Sequence, residues 1–167
     1  MMGAGKSTVG RLLAEWLSCG AVDTDDLVER RNAMTVAELF AAEGEPAFRA
    51  NEAAVLAEVG KTRGPMVVSV GGGGVLNAKS RAAMRSIGTV IWLRARPTTL
   101  ALRVGTGASR PLLGVGGEGT LDALERLDAE RRALYEEVAD VVVDVDDLSS
   151  QEAARMIVTR LADRLRF

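Results

Sequence analysis

The chain has 167 residues, enough for one domain with a sizeable core and too few for two domains of usual size. Its 21 Lys and Arg residues nearly balance 23 Asp and Glu residues, so the net charge of −2 indicates neither a nucleic-acid nor a membrane partner. Histidine is absent, which excludes histidine-based catalysis and histidine metal sites, and the single Cys19, the lack of a long apolar run and the lack of a signal-peptide pattern predict a soluble, cytoplasmic protein.

The first predicted element is a helix over residues 6–18, and a glycine-rich turn leads into it. The turn matches the second half of the P-loop pattern G-x-x-x-x-G-K-[ST]. Glycines let backbone N–H groups surround phosphate oxygens, and the helix start adds partial positive charge. We predict an ATP site, with Lys6 on the outer phosphates and Ser7 on Mg²⁺. The residues of this site are Gly3, Ala4, Gly5, Lys6, Ser7 and Thr8. The alternative is a glycine-rich turn that precedes lysine and serine by chance.

A short strand over residues 21–23 follows and ends in an acidic turn. Because side chains alternate along an extended chain, Asp23 and Asp25 point the same way from the carboxyl end of this strand. Beside a P-loop, one carboxylate can hold a magnesium-bound water while the other accepts a hydrogen bond from an incoming hydroxyl. The alternative is an acidic turn that only caps the next helix.

The rest of the chain alternates helices with strands. Helices are predicted after the capping box that begins at Thr35, from Pro46 to about Val59, after Asn77, after Pro97, over about 120–139 and after the capping box at Ser149. The strands predicted over 66–70, 89–93 and 141–145 contain few polar residues, as expected when both faces of a sheet are buried. This order predicts an α/β fold, a parallel sheet with helices on both faces and ligands at the carboxyl ends of the strands.

Two arginines occupy apolar helix faces. Helical periodicity places Arg131 inside the apolar stripe of the helix over about 120–139, where a guanidinium is costly unless it meets an anion. In the helix after Pro46, Glu52 lies in the centre of the stripe and Arg49 one turn before it, which predicts an ion pair. Together the arginines indicate a substrate that carries a carboxylate. The alternative for each is a side chain that extends past apolar neighbours into solvent.

Residues 104–119 are rich in glycine and predict a mobile loop that contains Arg110. This arginine could swing onto a transferring phosphoryl group and stabilise its charge. The alternative is a solvated loop charge.

In their order and spacing these motifs resemble the shikimate kinase family over nearly the whole chain. The resemblance rests on Gly3-Ala4-Gly5-Lys6-Ser7-Thr8, Asp23-Thr24-Asp25, Phe48-Arg49 with Glu52, Gly71-Gly72-Gly73, Arg110-Pro111-Leu112-Leu113, and Arg131 ahead of Leu134-Tyr135.

The resemblance implies a three-layer P-loop kinase fold with a five-stranded parallel sheet. It implies a single domain over residues 1–167, with substrate-binding helices at about 24–60 and a lid at about 104–119. The implied reaction is the ATP-dependent phosphorylation of the 3-hydroxyl of shikimate, which gives shikimate 3-phosphate and ADP on the route to aromatic amino acids. The implied enzyme is a monomer that requires Mg²⁺.

The resemblance also assigns residues. Shikimate would be bound by Asp25, Arg49, Gly71, Gly72, Gly73 and Arg131. The arginines would take its carboxylate and Asp25 the reacting hydroxyl. Ser7 would bind Mg²⁺ directly and Asp23 through water, while Lys6 and Arg110 would stabilise the transferring phosphoryl group. Arg103 would lie over the adenine.

Three departures from the family pattern stand out. Asp146 and Asp147 replace an arginine expected near the adenine, and Ala133 replaces a more usual proline. The first strand and the first P-loop glycine would precede Met1. In the family that strand lies in the middle of the sheet, so we predict two half-sheets with open inner edges. We also expect the working protein to have further residues upstream of Met1.

Two rival functions stay open. The first is a P-loop kinase for another hydroxylated acid, such as gluconate; Arg49, Arg131 and the glycine run favour shikimate instead. The second is a catalytically silent relative kept as a binding or regulatory module. The missing strand favours this second rival, whereas Lys6 and Asp25 favour an enzyme.

Overall fold

The computed structural model describes residues 1–105 and 119–164. Seven helices and four strands are found in these residues. The helices are α1 (Lys6–Trp16), α2 (Thr24–Asn32), α3 (Val36–Val59), α4 (Ala78–Ile87), α5 (Pro97–Val104), α6 (Thr120–Val138) and α7 (Ser150–Arg164). The strands are β1 (Gly20–Asp23), β2 (Met66–Ser69), β3 (Ile91–Arg94) and β4 (Val141–Asp144), and a 3₁₀ turn spans Gly74–Leu76.

The strands form two separate parallel pairs. In one pair β1 runs beside β2, with Gly20 opposite Met66. In the other β3 runs beside β4, with Ile91 opposite Val141. Within the described residues no ladder joins the two pairs. The α/β class and the two half-sheets are therefore as the sequence predicts.

A cavity of about 360 Å³ separates the half-sheets, and we call it the central slot. Val67 and Val68 of β2 and Trp92 and Leu93 of β3 line it, together with apolar side chains of the surrounding helices. Met1 lies at the end of the slot beside the glycines that follow β2. The slot therefore lies where a fifth, central strand would pair with both inner edges.

Local signals set the starts of three helices. The Thr35 hydroxyl accepts from Glu38 N at 3.2 Å and the Glu38 carboxylate accepts from Thr35 N at 2.7 Å, which completes the predicted capping box of α3. Ser149 and Glu152 repeat this arrangement before α7. The Asn77 side chain accepts from the second residue of α4 at 2.8 Å. Each cap satisfies backbone donors that have no partner within the helix.

Between residues 36 and 59 the structure agrees with the prediction of two helices, because α3 consists of two helical segments that meet at a break at Gly44. Gly44 interrupts α3 with φ 80° and ψ 173°, a conformation that favours glycine. Pro46 then starts the second half, where its missing N–H costs least. The second half carries Arg49 and Glu52, which lie against the glycine run after β2.

Two hydrophobic clusters stabilise the molecule. The larger one packs the helices around both half-sheets, with Leu100, Leu124 and Val143 fully buried. The smaller one joins α2 to α3 through Val28, Leu39, Phe48 and Val55. The second cluster gives the predicted substrate-binding helices a core of their own. Across residues 1–105 and 119–164, no helix has the length and hydropathy needed to span a membrane.

Candidate active site

The predicted P-loop residues form the turn that starts α1. Gly3 and Gly5 have φ of 76° and 86°, and a Cβ at Gly3 would lie 2.7 Å from Val104 Cγ2. Only glycine meets both demands. Lys6 donates from Nζ to the Met1 carbonyl at 3.0 Å, so its side chain folds back over the turn. The arrangement gives an anion the N-terminus of a helix and a lysine ammonium on one side.

Ser7 and Asp23 lie side by side. The Ser7 hydroxyl donates to Asp23 Oδ2 at 2.7 Å, while Asp23 Oδ1 accepts from Asp25 N at 3.1 Å. Asp23 therefore caps α2, as one interpretation of the acidic turn predicts, and it also binds the serine. The paired oxygens suit a hard cation such as Mg²⁺. The described part of the chain contains no cluster of three acidic or cysteine ligands, so such an ion would take its other ligands from phosphate and water.

Asp25 lies against the glycine run, with its Oδ1 close to Gly71. Its Oδ1 is buried without a hydrogen-bond partner. Burial raises the pKa of Asp25 above its ordinary value, and the charge of Asp23 adds to this, while Lys6 acts in the opposite direction. A raised pKa makes a carboxylate a better proton acceptor than an exposed aspartate.

Arg49 is held by two glutamates of its own helix. It donates from Nη1 to Glu52 Oε2 at 2.5 Å, which is the predicted ion pair, and from Nη2 to Glu45 Oε1 at 2.8 Å. The Phe48 ring lies under the guanidinium, with its centroid 5.1 Å from Cζ. Glu52 is only 5 % exposed, and burial raises its pKa although Arg49 acts against that shift. The guanidinium is thus fixed before any ligand arrives.

Arg131 is buried in α6, with 3 % of its surface exposed, and its Nε has no hydrogen-bond partner. The charges of Arg131 and Arg49 both lower the pKa of Glu52. The two guanidinium groups therefore act on one carboxylate, although they come from helices far apart in the sequence.

The glycine run Gly71–Gly73, which follows β2, lies against the side chains of Asp25, Glu52 and Arg49, and we call it the wall. A Cβ at Gly71 would lie 2.6 Å from Asp25 Oδ1 and would overlap Glu52, and a Cβ at Gly73 would overlap the Arg49 guanidinium. Larger residues at either position would displace the acidic and basic side chains. The run thus brings Asp25, Glu52 and Arg49 to one surface.

Two residues of the site were not given roles from the sequence. Thr24, 1 % exposed, accepts at its hydroxyl from Gly71 N at 3.0 Å. The Tyr135 hydroxyl donates to the Gly72 carbonyl at 2.5 Å. Both lie inside motifs already noted, Thr24 between the two aspartates and Tyr135 one helical turn after Arg131. That turn is the signal that points to Tyr135.

The predicted nucleotide-base contact lies on the other half-sheet. Arg103 donates from Nη2 to the carbonyls of Val145 and Asp146, at 2.6 and 3.0 Å, and this fixes its direction at the end of β4. Asp146 accepts from Arg96 N at 2.9 Å. The acidic residue that replaces the expected arginine thus binds the start of α5. Arg110 lies outside the described residues, as do residues 106–118 of the predicted lid, and their roles stay predictions.

Comparisons with known proteins all match one family. The family model described as shikimate kinase matches residues 2–162. A shikimate kinase of Symbiobacterium thermophilum is 45 % identical over 98 % of this chain and 94 % of its own length, and one of Vibrio campbellii is 39 % identical over 98 % and 93 %. The solved shikimate kinase from Acinetobacter baumannii in complex with shikimate has a TM-score of 0.92 at 33 % identity, covering 98 % of this chain and 89 % of that one. The chain therefore belongs to the shikimate kinase family.

Proposed function

We propose that this chain is a monomeric, cytoplasmic kinase that transfers the γ-phosphoryl group of ATP to the 3-hydroxyl of shikimate, giving shikimate 3-phosphate and ADP. One observation carries the proposal. Asp25 Oδ1, Glu52 Oε1 and Arg131 Nε are buried without hydrogen-bond partners. Such groups are costly unless a ligand satisfies them.

The chemistry of these atoms matches shikimate. The two carboxylate oxygens accept hydrogen bonds, which suits a ligand with several hydroxyls. The guanidinium N–H of Arg131 donates, which suits the ligand's carboxylate. The solved relative from Acinetobacter baumannii was determined in complex with shikimate. An acid with hydroxyls on one side and a carboxylate on the other is the ligand that these residues favour.

The nucleotide would bind with its outer phosphates at the start of α1. Lys6 would neutralise charge on these phosphates, and the backbone of Gly3 and Gly5 would turn around them. Ser7 and Asp23 would hold Mg²⁺, the latter through water. When bound, the ion neutralises charge that develops on the phosphate oxygens.

Asp25 would orient the 3-hydroxyl and accept its proton as the oxygen attacks the γ-phosphorus. Its buried carboxylate needs no long rearrangement to reach a hydroxyl in the pocket. Arg49 and Arg131 would grip the distant carboxylate and so fix the ring. Positioning of this kind supplies much of the catalysis in phosphoryl transfer, because the protein does little covalent chemistry.

The test is a panel of hydroxylated acids with the purified protein and MgATP. Shikimate should have the highest kcat/KM, and gluconate the lowest or none. Faster turnover of gluconate would overturn the proposal. Gel filtration of the same sample tests the monomer, because a dimer would elute at twice the mass.

The first prediction concerns Asp25. We expect Asp25→Asn to lower kcat by roughly 10²- to 10⁴-fold, the usual contribution of a positioned acid–base group. Nucleotide affinity, measured by titration with ADP, should stay unchanged because the P-loop turn is untouched. Asp26→Asn is the control, since this neighbouring carboxylate is exposed and should leave kcat unaltered. An Asp25→Asn variant that keeps most of its turnover would exclude Asp25 from the chemistry.

A catalytically silent binding module is the second candidate, because no strand of residues 1–105 and 119–164 lies in the central slot behind the P-loop turn. This candidate predicts that shikimate binds while no acid in the panel is phosphorylated. Turnover of shikimate would exclude it.

A further inference from the structure

Tyr135 contacts three parts of the molecule at once. Its ring stacks on Trp92 of β3, with centroids 5.3 Å apart and planes inclined by 18°. Its hydroxyl donates to the Gly72 carbonyl, just beyond β2. It lies one turn after Arg131 on α6, and the charge of the Arg131 guanidinium lowers the pKa of its hydroxyl against the effect of burial. Tyr135 therefore connects both half-sheets and the buried arginine.

We propose that Tyr135 is a positioning residue for the acceptor, one that fixes the Gly71–Gly73 wall relative to Arg131 and so sets the affinity for a hydroxylated carboxylic acid. The inference rests on the proposed function and deepens it.

The wall needs such an anchor because glycines do not fix their own backbone. Glycine has access to many more φ and ψ values than other residues, so the direction of these peptide groups depends on their hydrogen bonds. One turn is closed within the run, where the Gly71 carbonyl accepts from Gly74 N at 2.9 Å. Thr24 holds the first of these groups through Gly71 N. Tyr135 holds the next through the Gly72 carbonyl. Because the Gly72 carbonyl and the Gly73 N–H belong to one planar peptide group, fixing the first also fixes the direction of the second.

Gly73 is the residue that lies against Arg49. A Cβ there would overlap the guanidinium, so any shift of this peptide changes the space in which Arg49 and its ligand meet. The anchor thus acts on both arginines, on Arg131 directly and on Arg49 through Gly73.

The Tyr135 hydroxyl remains a hydrogen-bond donor at every working pH. The tyrosine is 7 % exposed, and burial raises its pKa to about 12. The hydroxyl therefore stays protonated and remains a donor over the whole working pH range. The competing interpretation is an ordinary core tyrosine whose hydroxyl takes the nearest carbonyl, which would affect stability alone.

Tyr135→Phe separates the two interpretations, because it keeps the stacked ring and removes only the hydroxyl. We expect the KM for shikimate to rise roughly fivefold to tenfold, as for the loss of one buried hydrogen bond. The KM for ATP and kcat should stay nearly constant. Ile157→Val is the control: it trims a buried side chain of α7 and lowers the melting temperature without touching the wall.

A binding titration makes the test independent of turnover. In a Trp16→Phe background the fluorescence of Trp92 reports on the site, because Trp92 is stacked on Tyr135. The Kd for shikimate without nucleotide should rise in Tyr135→Phe by the same factor as KM. If shikimate binds but is not phosphorylated, the proposed function fails while this comparison still decides the role of Tyr135. A lower melting temperature with unchanged Kd and KM would overturn the inference, and so would equal increases in the KM values for shikimate and ATP.

Discussion

Ionisation of two carboxyl groups beside the glycine run, Asp25 and Glu52, is costly to the fold. Burial raises the pKa of Asp25 and of Glu52 above the values of the unfolded chain. A carboxyl with a raised folded-state pKa stabilises the protein when protonated, below its unfolded pKa, and that contribution is lost as the pH rises through the folded pKa. The folded protein is therefore less stable when these two carboxyl groups are ionised than when they are protonated. Such a loss of stability is common in functional sites.

Asp25→Asn should raise the melting temperature at neutral pH, because the amide has the shape of the carboxyl group without its buried charge. This gain in melting temperature should shrink as the pH falls through the raised pKa of Asp25, because the wild-type carboxyl then becomes neutral. The change should be complete near a pH of about 4, the ordinary pKa of aspartate. Melting curves over this pH range measure the difference. The exposed Asp26→Asn should show no such trend, and a gain that grows toward acid pH would contradict the assignment.

At the residue scale, the sequence pointed to side chains that break a local pattern. Arg131 interrupts an apolar stripe, Glu52 lies in the centre of another, and Asp25 follows a strand end. Thr24 and Tyr135 break no pattern, because their partners are backbone groups of glycines far away in the sequence. Such contacts depend on tertiary packing: helical periodicity places Tyr135 one turn after Arg131 but does not reveal its glycine partner.

At the scale of elements, two helices approach the glycine run closely. Asp25 of α2 and Glu52 of α3 approach Gly71, and Arg49 of α3 approaches Gly73. The run was recognised from the sequence, and the close approach explains why it must be glycine. The break at Gly44 agrees with the two helices that the capping box at Thr35 and the proline at Pro46 predict. Both signals are local and so show where a helix starts, whereas the angle between the two segments depends on what they pack against.

Gly73→Ala tests this close approach. The added Cβ overlaps the Arg49 guanidinium, which is itself held by two glutamates, so the arginine must leave its position. We expect the KM for shikimate to rise by about tenfold or more, since a charge-assisted hydrogen bond is worth about 1.5–3 kcal/mol. Gly88→Ala is the matched control, because a Cβ added there would meet no atom within 4 Å and the φ of 168° is ordinary extended backbone. Equal KM values for the two variants would contradict the steric account.

For the molecule as a whole, the central slot is the dominant feature. The sequence begins in the second half of the P-loop pattern, and its resemblance to the shikimate kinase family then predicted two half-sheets. The structure has two half-sheets. The slot exposes the inner edges of β2 and β3, whose backbone groups would pair with a strand between them. The apolar side chains along the slot would then be covered.

An apolar extension fused ahead of Met1 should fill this slot. We expect a segment of about five β-branched residues ending in glycine to raise the free energy of unfolding, because each side chain that becomes buried contributes about 1.5–3 kcal/mol. Urea unfolding of the fused and unfused proteins measures the gain. The control carries proline in the middle of the same segment, since proline lacks the donor that a central strand needs. Equal stability of the apolar and proline versions would show that the slot does not take a strand.

In the proposed reaction, the division of the sheet would also separate the two reactants. The proposed acceptor residues Asp25 and Gly71 follow β1 and β2, while Arg103, proposed to lie over the adenine, donates to a backbone carbonyl at the end of β4. The width of the central slot between the two half-sheets would then contribute to the distance between the γ-phosphorus and the attacking oxygen. Spreading of the half-sheets would lengthen that distance, so we expect the width of the sheet itself to affect phosphoryl transfer.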